Sequence, residues 1–196
     1  GYAALAQYVD IPNLIDYMIL NFYAGNLDWD DHNWYAASWR TGGGGYKFFS
    51  WDAERTLEGI TGANRTGPSA KKHHRCPSYL YSQLRANPLF REQFAQRAHM
   101  HLFNDGALTP AKTAARYREL SDFIDRAIVG ESARWGDSQH ATPYTRDGAW
   151  VTERDRLLNQ YFPQRTDVVI GFLQGAGLYP SLLGPEFYVN GRRQYS

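Results

Sequence analysis

Between Asp10 and Gly25 the apolar residues Leu14, Ile15, Met18, Ile19, Phe22 and Tyr23 fall three or four positions apart, which predicts a helix with one buried face. Asp10 is placed to cap it, Pro12 fits its first turn and Gly25 can end it. The pattern then turns polar over 26–33 and predicts a loop. Two aromatic-rich runs, 34–39 and 46–51, flank the glycines at 42–45 and predict a β-hairpin. The glycines read as a flexible turn. A phosphate-cradling loop would need a following Lys-Ser/Thr and a helix start, whereas "GGGGYKFF" leads into a strand. Residues 53–78 are poor in apolar side chains and read as a long irregular loop, a length that is usually functional or disordered. Helical periods return after it. Leu89, Phe90, Phe94, Ala98 and Leu102 share one side of 87–104. Thr109 caps 109–128, with Pro110 in its first turn, and two more helices are expected over 150–162 and 163–177. The pattern puts one mostly helical α+β domain over 1–178. The tail 179–196 loses its period, carries Pro180 and Pro185, and reads as a linker or the start of a following domain.

Bulk properties narrow the picture only a little. The 196 residues suffice for one core, with 43% hydrophobic and 15% aromatic residues. A net charge of +1 gives no global attraction to nucleic acid or membrane, and no apolar run is long enough to predict a membrane span. The single cysteine, Cys76, excludes an internal disulfide, and with no base nearby it reads as inert. The chain starts at Gly1 almost directly in a helix, which is expected of an excerpt from a longer protein whose targeting segment would lie upstream.

The candidate chemistry lies in "GNLDWDDHNW" (25–34) and "FFSWDAERT" (48–56). Asp28 and Asn33 stand in an Asp-x4-Asn pattern after a helix. A hairpin follows and ends at Asp52 directly after an apolar strand. Helix, Asp-x4-Asn loop, strand, turn, strand, Asp is the layout of the protein-kinase catalytic core. There the loop Asp takes the proton of the substrate hydroxyl, and the Asn and second Asp hold the metal ions on ATP. Phosphoryl transfer needs hard oxygen ligands for a divalent cation and one carboxylate beside the attacking oxygen, and a hairpin is a rigid way to bring Asn33 and Asp52 to one metal.

These stretches resemble the CotH-type kinases, a family named for a spore-coat protein kinase. "NLIDYMILNFYAGNLDWDDHNWY" and the Trp-Asp-x-acidic motif of "FFSWDAE" carry the resemblance. "SYLYSQLRANPLFREQFAQRAHMHLFN" and "RWGD…W…ERDRLLNQYFPQRTDVVIGFL" look like the helical C-terminal half of that family, and the likeness extends over about residues 8–178. The resemblance implies a protein-kinase-like C-lobe with one hairpin after the catalytic loop. In it Asp28 is the catalytic carboxylate, Asn33 and Asp52 bind the metal–nucleotide, and Glu54 assists the metal. It also implies ATP with Mg²⁺ or Mn²⁺, a protein substrate offering a Ser or Thr hydroxyl, and a secreted or cell-surface location. No His-Arg precedes Asp28 and no Phe-Gly follows Asp52, as suits an atypical kinase. No Gly-rich lid or nucleotide-binding Lys stands before the helix. An upstream lobe of the same protein is therefore expected to supply them, and the chain alone is expected to be inactive.

Each residue also has an ordinary reading. Asp28 could be a turn aspartate. Asp30 and Asp31 read as solvated carboxylates, and His32 as surface or polar packing. Trp29, Trp34 and Trp51 read as core or loop anchors. The basic run "KKHHR" (71–75) is either a solvated loop or a contact for an acidic substrate. Two rival functions remain. One is a non-catalytic, kinase-derived surface or scaffold module that binds a partner or a divalent metal through 28–33. The other is a glycoside hydrolase using Asp28 and Asp52 as acid and base, in which Asn33 has no role.

Overall fold

The computed structural model describes residues 2–30, 32–41, 43–67, 76–138, 140–181, 187–190 and 192–194, with the backbone alone for Phe187–Val189 and Arg192–Gln194. In chain order the elements are α1 (Tyr2–Leu5), α2 (Ile11–Ala24), β1 (Trp34–Ala37), β2 (Lys47–Ser50), α3 (Pro77–Leu84), α4 (Pro88–Leu102), α5 (Pro110–Trp135), α6 (Val151–Arg156), α7 (Phe162–Gly175), β3 (Phe187–Val189) and β4 (Arg192–Gln194). The described chain is mostly helical, with β1–β2 and β3–β4 each forming an antiparallel pair.

Helix α2 is the axis of the core. The Asp10 carboxylate accepts from the Asn13 amide at 3.0 Å and caps it, and Gly25 ends it in the left-handed conformation (φ 61°). Leu14, Ile15, Met18, Ile19 and Phe22 are fully buried, facing Phe90, Phe94, Ala98 and Leu102 of α4 and Val169 and Leu173 of α7. Phe22 meets Tyr81 edge-on at 5.5 Å and Trp29 at 6.2 Å, so aromatic rings from α2, α3 and the loop after α2 close around one point.

The hairpin lies along α2 in the register Trp34↔Ser50, Tyr35↔Phe49, Ala36↔Phe48 and Ala37↔Lys47. It is pinned there. The Phe48 amide donates to Asn13 Oδ1 at 2.6 Å, Tyr46 exchanges backbone hydrogen bonds with Tyr8 and Asp10, and Lys47 pairs with Asp10 at 3.6 Å. The glycines of its turn are therefore more than flexible spacers. A Cβ on Gly45 would stand 2.3–2.5 Å from the backbone of Val9 and Asp10, so only glycine permits this approach.

Four expectations change. Leu89 is 62% exposed, because the buried stripe of α4 steps by four from Phe90 and leaves Leu89 off it. Thr109 occupies the N-cap position of α5, but its hydroxyl donates to the Gly106 carbonyl at 2.8 Å instead of capping. The two helices expected over 150–177 form one continuous helical run from Arg146 to Gly175, widened into π turns at Arg146–Trp150 and Leu157–Tyr161. Pro163 follows the second π turn, and the looser turn absorbs its missing N–H and the bulk of its ring. Trp51 is 65% exposed rather than a core anchor, since strand alternation turns Tyr35, Phe49 and Trp51 outward while Trp34 and Phe48 face α2.

Candidate functional site

The loop after α2 is held from below by buried amides. Asn21 donates to the Tyr17 carbonyl at 2.8 Å, Asn26 donates to Asn21 Oδ1 at 3.0 Å, and Asn26 Oδ1 accepts from the Asp28 amide at 3.0 Å. Both asparagines are almost fully buried, so each bond offsets a desolvation cost that would otherwise destabilise the loop. The chain of contacts fixes the backbone of Asp28 to the last turns of α2.

Asn33 then folds back onto Asp28. Its amide nitrogen donates to the Asp28 carbonyl at 2.9 Å and to Asp28 Oδ2 at 3.2 Å. His32 Nε2 lies 2.9 Å from Asp28 Oδ1. The Asp28 carboxylate is thus oriented by a neighbour on each oxygen. Asp30 is half-buried and accepts from the Ser78 hydroxyl at 3.3 Å, which corrects its reading as a solvated carboxylate. Asp31 and the basic run 71–75 lie outside the described residues.

The second acidic segment is stitched to the first through the backbone. The Trp51 amide donates to the Asn33 carbonyl at 2.9 Å, the Leu27 amide to the Arg55 carbonyl at 2.9 Å, and the Leu57 amide to the Ala24 carbonyl at 2.8 Å. Asp52 and Glu54 are exposed between these ties. Asn33 (φ 60°), Asp52 (φ 46°) and Leu57 (φ 61°) all have left-handed backbones, which asparagine and aspartate tolerate at little cost and leucine adopts only with strain. Strain is concentrated where the two segments meet. Arg55 does not draw Asp28 away. It pairs with Glu58 at 2.6 Å, and that bond, with smaller help from the charges of Asp28 and Glu54, raises the guanidinium pKa.

The donor set suits a hard cation. The Asn33 amide nitrogen is committed to Asp28, which leaves its side-chain carbonyl oxygen as the end able to ligate a cation, as the carboxylates of Asp52 and Glu54 are by their chemistry. Among the described residues no cluster of three or more His, Cys, Asp and Glu forms a self-sufficient cage. Magnesium bound with substrate phosphates needs only one or two protein carboxylates.

Sequence reasoning missed Asn21, Asn26 and Arg165. Arg165 is fully buried on α7 and donates to Tyr23 O and Phe22 O, both at 2.7 Å, at the end of α2. Its signal was present as a polar residue at the centre of the step-four stripe Tyr161, Arg165, Val169, Leu173, and Asn21 likewise interrupts the apolar face of α2.

Comparison with known proteins adds one finding. No curated protein and no solved structure is significantly similar to the chain. A family model described as CotH kinase protein matches residues 2–169. That match spans α1 through the first half of α7 and includes both acidic segments, so the chain belongs to the CotH kinase family.

Proposed function

We propose that this domain is the protein-kinase-like C-lobe of an atypical kinase that transfers the γ-phosphate of ATP to a Ser or Thr hydroxyl of an extracellular or coat protein. The observation that carries the reading is the double role of Asn33. Its side chain orients Asp28, and its backbone carbonyl holds the strand end that delivers Asp52. Family membership supports the reaction class. In this reading Asp28 accepts the hydroxyl proton of the substrate, while Asn33 Oδ1 and the carboxylates of Asp52 and Glu54 hold the divalent cation. ATP with Mg²⁺ or Mn²⁺ would supply the phosphoryl group and the positive charge that screens it. The contact from His32 steadies the Asp28 carboxylate, and Asn33 ties that carboxylate to the cation side of the site. An upstream lobe of the same protein completes the nucleotide pocket.

The test uses the full-length protein with a Ser/Thr protein acceptor. Asp52→Ala is expected to abolish transfer and metal dependence together. Asp28→Asn is expected to slow transfer by about 10²–10⁴-fold while nucleotide binding is retained. Equal rates in wild type and both variants would exclude the reaction. The second reading, a binding module without catalysis, draws on the outward aromatic face where Tyr35 stacks on Phe49 at 5.0 Å beside Trp51. It predicts that Tyr35→Ser weakens capture of a partner while Asp52→Ala has no effect.

A further inference from the structure

Arg165 sits where an arginine is hardest to accommodate. It is fully buried and has no carboxylate partner among the described residues; burial lowers its pKa, with Tyr161 and Tyr23 opposing that shift. All of its guanidinium N–H groups are instead used on backbone carbonyls. Nε donates to Tyr23 O and Nη2 to Phe22 O and Ala63 O, while Nη1 donates to Ile60 O and Gly59 O. Tyr23 O also accepts from the Tyr161 hydroxyl at 2.8 Å. These carbonyls belong to two segments only. Phe22 and Tyr23 end α2, whose dipole places partial negative charge there and offsets the cost of a buried cation. Gly59, Ile60 and Ala63 belong to the loop that continues from Asp52 and Glu54.

We propose that Arg165 is a positioning residue for the site, a fork on α7 that sets the spacing between the segment ending α2, which carries Asp28 and Asn33, and the segment carrying Asp52 and Glu54. The assignment of a reaction to that site rests on the phosphotransfer reading above. Two further facts point the same way. The ties Leu27 N to Arg55 O and Leu57 N to Ala24 O cross between the same two segments. A Cβ on Gly25 would stand 2.9 Å from the Ala63 side chain and 3.1 Å from Arg165 Nη2, so the backbone there approaches as closely as the absence of a side chain allows. A planar fork with donors in fixed directions can hold carbonyls of two segments at once. The ammonium of lysine is a compact group with three donors and cannot span both sets.

The experiment compares Arg165→Lys with Leu173→Ala, a fully buried position on the same helix but away from the site. Both variants are destabilised, so each is measured at the same offset below its own melting temperature. Residue-resolved amide exchange on this chain is expected to show Leu27 and Leu57 exchanging about tenfold faster or more in Arg165→Lys, with Met18 and Ile19 unchanged, and no such local loss in Leu173→Ala. In the full-length protein, the transfer rate of Arg165→Lys is expected to fall about 10–100-fold, with the KM for divalent metal raised and the KM for acceptor protein unchanged. Leu173→Ala is expected to keep the wild-type rate. Matching exchange profiles in the two variants would overturn the proposal. If the wild-type protein transfers no phosphate, the phosphotransfer reading fails, and the exchange at Leu27 and Leu57 still decides whether Arg165 holds the segments together.

Discussion

Helices α2 and α5 differ in almost everything that matters for a site. Nine of the fourteen residues of α2 are buried, and the only buried residue of the twenty-six in α5 is Ser121. The short helix is surrounded by α3, α4, α7 and the hairpin. The long one runs along the outside, with Leu120, Phe123, Ile124 and Val129 all exposed. Length therefore says nothing about where the structure is rigid. The candidate site hangs from the C-terminal end of the buried helix, where any displacement must move the core.

The largest effect that tests this contrast is on stability. Phe22→Ala removes a fully buried ring that contacts Tyr81, Trp29 and Phe94, and the expected loss is about 3–5 kcal/mol in denaturant titration. A loss below about 1 kcal/mol would mean that α2 is not the axis of the core.

Next in size, taken per group, is a response to alkaline pH. Tyr17, Tyr23, Tyr81 and Tyr161 surround the core, and burial raises the pKa of each, that of Tyr161 to about 12. The folded state keeps these phenols protonated above pH 10, where the unfolded chain gives up its protons. Stability is then intact below pH 10 and falls as the pH rises toward 12, by about 1.4 kcal/mol per unit for each such group. Tyr161→Phe should flatten that fall, with the loss of one hydrogen bond to Tyr23 O visible at neutral pH. A pH–stability curve that stays level from 9 to 11 would show that the tyrosines are not held as described.

A smaller and more local effect comes from the amide chain under the loop. Asn26→Ala strands both the Asp28 amide and Asn21 Oδ1, at an expected cost of about 1–3 kcal/mol. Chemical shifts should move at Asp28 and Asn33 and stay fixed in α5. Equal perturbation of both regions would erase the distinction between the rigid axis and the outer helix.

The sequence made one side of this comparison much plainer than the other. The cap at Asp10, the stop at Gly25 and the apolar stripe of α2 are local signals and describe the helix to within a residue. The hairpin was legible because two aromatic-rich runs flank the glycines at 42–45, although the need for Gly45 beside Val9 was not, since that contact joins distant parts of the chain. In the site, the Asp-x4-Asn spacing singled out Asp28 and Asn33 but not the hydrogen bonds that join them. The contact from His32, the bond from Ser78 to Asp30 and the fork of Arg165 depend on side chains meeting through folds of the backbone, which no periodicity encodes. The π turns were equally hidden, because Pro163 reads as a break and the structure absorbs it without one.

The smallest expected effect is the most direct test of the contrast. Phe123 is 86% exposed on α5, so its ring loses almost no contact with water on folding and gives little hydrophobic stabilisation. Phe123→Ser exchanges a side chain of middling helix propensity for another of similar rank, near the centre of the helix and far from its caps. The expected change in stability is within about 0.5 kcal/mol, roughly a tenth of that for Phe22→Ala, although both substitutions remove the same ring from a helix. Amide exchange at Leu27 and Leu57 should be unaltered, because no described contact links Phe123 to the loop after α2. Denaturant titration is the measurement, repeated at two protein concentrations. A loss of more than about 1 kcal/mol that is the same at both would mean that α5 buries this face within the domain and that its exposure is wrong. A loss that grows with concentration would place the ring against a second molecule. In either case α5 would rank with α2 as part of a core, and the comparison between the two helices would no longer hold.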